Sequence, residues 1–234
     1  MVDWTAVIVL RGEPMTSGFV RLWRHVLAVT MLVAATAAGA AATAGWVAYQ
    51  RGDFAAARAA YEHDARLGDR LAQFNLATML LRGEGGAADA AAGVEWLHKA
   101  AQAGMAQAQY NLGLLYESGT GVDRSLTAAT EWWEKAAQQG HVDAQVQLGT
   151  QYFLGRGAPK DWALAARWYE AAAENGDPGA QYLIASFYEH GDGVAPDLKR
   201  ALGWYLQAAR QGDAGAALQA DDVARRLGVA LPGR

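Results

Sequence analysis

Residues 108–140 read AQYNLGLLYESGTGVDRSLTAATEWWEKAAQQG. A step of 36 residues forward gives AQVQLGTQYFLGRGAPKDWALAARWYEAAAENG, and a further 36 gives AQYLIASFYEHGDGVAPDLKRALGWYLQAARQG. The same step backward gives AQFNLATMLLRGEGGAADAAAGVEWLHKAAQAG. The register holds across four units without an insertion. Self-similarity at this period marks stacked helical repeats, each burying its apolar face only against a neighbour. The expected fold is therefore an all-α solenoid of helical hairpins, and its function should be that of an array.

Each unit carries its own punctuation. In AQYNLGLLY the apolar side chains recur at helical spacings of three and four. Gly83, Gly119, Gly155 and Gly191 then stop that helix, as left-handed residues after a helix end do. The second helix opens at Asp89, Ser125, Asp161 or Asp197, all good N-cap types. It closes before Gly104, Gly140, Gly176 and Gly212. Asp177-Pro178 reads as an N-cap followed by a proline in the first helical position. Trp96, Trp132, Trp168 and Trp204 form one column of the second helix and are expected to fill the space between hairpins. On that reading Trp132→Ala costs about 3–5 kcal/mol. The adjacent column, Leu97, Trp133, Tyr169 and Tyr205, reads either as packing against the next hairpin, the favoured reading, or as a partner-binding stripe.

These residues resemble the Sel-one-like repeat family, a branch of the tetratricopeptide-like solenoids. Unit two carries the family pattern in Ala108, Leu112, Gly113, Tyr116, Gly119, Gly121, Val122, Ala129, Trp132, Ala136, Ala137 and Gly140. Unit one departs at Ala77 and Leu80, and unit four at Ile184 and Ala185. The resemblance implies a right-handed α/α solenoid whose first helices line a concave groove. It says little about function, because such arrays serve many unrelated processes. Some secreted relatives carry a disulfide in each repeat. This chain has no Cys, so nothing peculiar to that branch carries over.

The flanks differ from the array. Arg21 and Arg24 precede an uncharged stretch from Val26 to Gln50 whose strong apolars lie early. A positive segment, an apolar core of about ten residues and small-x-small sites describe a secretory signal peptide. Cleavage is expected after Ala37, Ala40 or Ala44. The alternative is an uncleaved membrane tether through residues 26–48, although its Ala-rich second half makes a weak span. Either way the repeats are expected outside the cytoplasm. Met15 offers an alternative start. The expected organisation is an export signal or anchor over 1–44, a leading tetratricopeptide-like hairpin over 45–71, four repeats over 72–215, and a capping helix and tail over 216–234. Ala60 stands in the tryptophan column of the leading hairpin, so that unit is expected to pack differently. Asp221 falls in the small-residue column of a further first helix, as a terminal cap requires. Leu231-Pro232-Gly233-Arg234 reads as a frayed end.

Charge narrows the partners. Setting aside the two acids and three arginines before residue 45 leaves 22 acids against 17 bases, a net charge of −5. Such a surface does not favour nucleic acid. The paired loop glycines follow a helix and not a strand, which argues against a phosphate cradle. His25, His63, His98, His141 and His190 show no zinc spacing and read as exposed side chains. Neither a nucleophile elbow nor a Cys is present, and no metal or cofactor is expected.

The best functional candidates are polar residues recurring on the first helix. One column is Asn75, Asn111 and Gln147, ending in Leu183; a second is Thr78, Leu114, Thr150 and Ser186. Amides spaced one per repeat can hydrogen-bond an extended peptide backbone; the rival reading is a plain solvated face. Gln73, Gln109, Gln145 and Gln181 are the same in every unit and read as structural, bonding an inter-repeat loop. The expected function is a non-catalytic adaptor holding a protein or peptide in the concave groove. The alternatives are a structural spacer in an envelope assembly and a secreted hydrolase-like repeat protein.

Overall fold

The computed structural model describes residues 44–231, so the expectations for an export signal or anchor, and for Pro232, Gly233 and Arg234, lie outside the described residues. Leu231 itself packs against the last core cluster. Eleven helices and no strand occur among the described residues. They are α1 (Ala44–Gln50), α2 (Phe54–Arg66), α3 (Arg70–Arg82), α4 (Ala90–Gln102), α5 (Ala106–Ser118), α6 (Leu126–Gln138), α7 (Val142–Leu154), α8 (Trp162–Glu174), α9 (Pro178–His190), α10 (Leu198–Arg210) and α11 (Ala214–Leu227). The main contacts run between consecutive helices, which is solenoid packing, and four core clusters string along it.

The sequence punctuation acts as read. Asp89, Ser125 and Asp161 accept a bond from the amide three residues on, at 3.0, 3.2 and 2.9 Å. Asp197 accepts from Lys199 and Arg200. Asp177 caps α9 ahead of Pro178. The loop closes when the N-cap amide of the second helix donates back to the first, as Ser125 does to the Tyr116 carbonyl at 2.8 Å. The second loop glycine is pressed between repeats. Gly157 has a φ of +69°, and a Cβ there would overlap the carbonyl oxygen of Leu126 in the preceding repeat. That approach, and not an anion, accounts for the paired glycines.

The favoured packing reading of the Leu97, Trp133, Tyr169 and Tyr205 column holds, and that column, one residue on from the tryptophans, is the core. Trp133 is 0 % exposed, and Leu97, Tyr169 and Tyr205 are buried with it. Trp96, Trp132, Trp168 and Trp204 are half-buried. Lys99 and Lys135 lie over Trp96 and Trp132, each 3.8 Å from a ring centroid. The buried column therefore packs the hairpins, and the tryptophan column forms a margin with a cation over Trp96, Trp132 and Trp168. Trp133 and Tyr169 lie against Gly113 and Gly149 of their own hairpins; a Cβ on Gly149 would stand 2.9 Å from Tyr169 Cδ1.

The leading hairpin obeys the same rule, which corrects the expectation for it. Tyr61 is its buried aromatic and faces Gly45, where a Cβ would meet the ring at 2.7 Å. The column simply runs one residue after Ala60. Gly52 and the Asp53 cap make a shorter turn than in the later hairpins. Burial pushes the Tyr61 phenol up to about 12.

The invariant glutamines stitch repeats together. The side-chain amides of Gln73, Gln109, Gln145 and Gln181 donate to the carbonyls of Ala65, Ala101, Ala137 and Ala173 at 3.0–3.2 Å. Their Oε1 atoms accept from the end of the second helix of their own repeat: Gln109 from Gln139, Gln145 from Asn175, Gln181 from Gln211. Gln73 has Ala103 at the donor position, and its buried Oε1 lacks a partner. Ala103→Gln should supply that donor and add about 1 kcal/mol, read as a raised urea midpoint with unchanged slope. An unmoved midpoint would mean that the orphan oxygen carries no penalty.

Candidate functional site

The recurring polar columns do not form one uniform strip. Asn75, Thr78, Asn111 and Ser186 are buried, whereas Gln147 and Thr150 are half-exposed. Much of their bonding is local. Thr78 Oγ1 donates to the Phe74 carbonyl at 3.0 Å, and Thr150 Oγ1 to the Val146 carbonyl at 2.9 Å. Such back-bonds to the preceding turn are ordinary for a helical Thr. Thr150 also meets the Tyr169 hydroxyl at 3.0 Å, and Ser186 meets His190 at 3.3 Å. The first helices are buried between their own second helices and the next repeat, which leaves little of this column open to a ligand.

The polar side chains converge instead where unit two meets unit three. Gln107 donates to Asn111 Oδ1 at 3.0 Å, and His141 Nε2 stands 3.1 Å from Gln107 Oε1. The His141 ring stacks on Tyr110 at 4.6 Å and 21°. Its Nδ1 accepts the Ala144 amide at 3.3 Å, capping α7. An amide N–H only donates, so Nδ1 is bare and Nε2 carries the proton that Gln107 accepts. Burial lowers the His141 pKa, opposed by the Asp143 carboxylate. Burial raises the Tyr110 phenol, with Asp143 and Glu117 adding in the same direction. Glu117 is itself raised by burial, against Arg124 and Arg156.

A second histidine sits on the other side of α5. His98 Nε2 lies 3.1 Å from the Tyr116 hydroxyl, and its ring meets Trp132 edge-on at 5.5 Å. Its pKa is lowered by burial and by Lys135. The expectation that the histidines are exposed holds for His63 and His190 and fails for His98 and His141, while His25 lies outside the described residues. The columns held the signal. His141 replaces the Asp69, Asp177 and Asp213 caps, and His98 stands where Glu134 and Glu170 occur. Glu170 accepts from Tyr188 at 2.9 Å, as His98 pairs with Tyr116.

Elsewhere the surface is self-satisfied. A shallow concavity at the α9–α10 loop is lined by Tyr188, Val194, Pro196 and Arg200, but Arg200 is engaged with Glu170 and lies over the Tyr188 ring. Among the described residues no group of three or more His, Asp or Glu is placed to hold a metal ion, and no helix is long and apolar enough to cross a membrane.

Comparison with known proteins agrees with the geometry. The Sel1 repeat model matches residues 70–105, 106–141, 142–177 and 178–213. A protective antigen of uropathogenic Escherichia coli displaying an SLR fold is 34 % identical with a TM-score of 0.74; the match covers 79 % of this chain and 41 % of that one. A Sel1 repeat protein from Oxalobacter formigenes is 34 % identical with a TM-score of 0.73, covering 80 % of this chain and 77 % of that one. The chain thus spans well under half the length of the first of these structures. Comparison with curated proteins yields no match. Four consecutive matched units, each built as the same glycine-stopped hairpin, place this chain in the Sel1 repeat family.

Proposed function

We propose that the array is a non-catalytic scaffold that holds a protein segment along the side formed by its first helices. The observation that carries this reading is the half-exposed pair Gln147 and Thr150, on α7 beside the Tyr110–His141 stack. A half-exposed side-chain amide, with both a donor and an acceptor, suits a polypeptide backbone. We place the array outside the cytoplasm, a reading supported by the charge and hydropathy pattern of residues 1–44.

The test is affinity capture from membrane and envelope extract, comparing wild type with Gln147→Arg. Asn111 is the poorer probe, because it is 6 % exposed and an arginine there would disturb the fold. A partner captured by wild type and lost with Gln147→Arg, at unchanged melting temperature, supports the groove. A partner captured equally by both moves binding to the lysine-covered tryptophan margin and favours the spacer reading.

A further inference from the structure

We propose that His98 and His141 form a proton-responsive clasp on α5, one from each neighbouring repeat, which sets the order of the unit-two joint and of the Gln107–Asn111 chain within it. The two histidines reach opposite ends of the same helix. His98 in α4 bonds Tyr116 near its C-terminus, and His141 in the cap of α7 stacks on Tyr110 near its N-terminal half.

The His141 contact is built for a neutral ring. A proton on His141 Nδ1 would face the Ala144 N–H and remove the cap of α7. It would also place a positive charge at a helix N-terminus, where the macrodipole disfavours it. Asp143 and Tyr110 are the titratable groups facing this ring, and the Asp143 charge only partly offsets that cost. At His98 the facing groups are Tyr116, Trp132 and Lys135. Lys135 already covers the Trp132 indole at 3.8 Å, so a charged His98 would be a second cation on one ring.

The sign follows from linkage. Both folded pKa values lie below the free-histidine value of about 6.5, so an open joint binds protons more tightly than a closed one. The clasp is fully closed above that pH and weakens as pH falls below it. At the equivalent position α3, α9 and α11 carry Asp69, Asp177 and Asp213 in place of a histidine. The consequence for ligand presentation rests on the groove reading proposed above, whereas the clasp itself does not.

Amide hydrogen exchange of the full chain, expressed as protection factors, tests it without any ligand. Between pH 7.5 and pH 5.5, protection at the first turn of α7 and along α5 should fall several-fold more than at the first turn of α9. The double variant His98→Gln/His141→Asp keeps a cap and a Tyr116 partner that do not titrate in this range, so the excess fall should vanish. His141→Ser replaces His141→Asp if the second carboxylate beside Asp143 prevents folding. Equal falls at α7 and α9 in wild type, or an undiminished fall in the double variant, would overturn the clasp. Capture that is insensitive to Gln147→Arg overturns the groove and leaves the clasp standing.

Discussion

Trp133→Ala is expected to cost about 3–5 kcal/mol, and Trp132→Ala, one residue away, no more than about half of that. The difference is set by burial. Trp133 is fully enclosed, its Nε1 donates to the Tyr110 carbonyl at 3.2 Å, and its ring fills the space left by Gly113. Truncation leaves a cavity and removes the indole's bond to that carbonyl, which keeps its place in the α5 ladder. Trp132 keeps one face under Lys135 and part of its ring in solvent, so less apolar area is lost with it. Urea denaturation followed by far-ultraviolet circular dichroism separates the two, and avoids reading a tryptophan signal that the mutations change. Equal losses would restore the Trp132 column to the core. Unit two lies mid-array, and each repeat contacts only its neighbours. Trp133→Ala should therefore also broaden the transition, as the two ends uncouple.

The same two residues show how far the sequence can be read. Period, hairpin boundaries, caps and glycine stops were legible because each rests on a local residue type in a fixed column. Asp161 caps a helix and Gly155 stops one wherever the rest of the chain goes. Packing of the Trp133 column was legible, but that the Trp132 column beside it is only half-buried was not, because helical phase against a neighbour depends on crossing geometry. The tryptophan column is uniform, whereas the buried column runs Leu97, Trp133, Tyr169 and Tyr205, with Ala77, Gly113, Gly149 and Ala185 at the matching first-helix positions. The candidate site was less legible still. Asn111 and Ser186 are polar residues on a face that reads as groove, yet neighbouring repeats close over them. Gln147 and Thr150 escape because their part of α7 remains half-exposed. The two half-buried histidines carry no metal spacing; their signal lies within their columns, against the Asp caps and Glu partners of the other repeats.

Gly113→Ala is expected to change sign with its partner, destabilising wild type by about 1–3 kcal/mol and stabilising a Trp133→Leu background. In wild type a Cβ on Gly113 overlaps Trp133 Nε1, Cδ1 and Cε2, so the indole must move and its bond to Tyr110 stretches. That cost exceeds the roughly 1 kcal/mol by which Ala is favoured over Gly inside a helix. With Trp133→Leu the ring is gone, the Cβ enters vacated space, and the helix preference acts unopposed. The chain already contains that combination, since unit one pairs Ala77 with Leu97, both buried. Unit three keeps Gly149 under Tyr169, where a Cβ would again be too close. The four variants form a double-mutant cycle with a predicted coupling of about 2–4 kcal/mol. Additive losses would mean that the glycine is retained for something other than the ring above it. Sign reversal would show that small and large residues in these two columns are chosen together. The glycine of the family pattern would then be one half of a packing pair whose other half is free to vary from repeat to repeat.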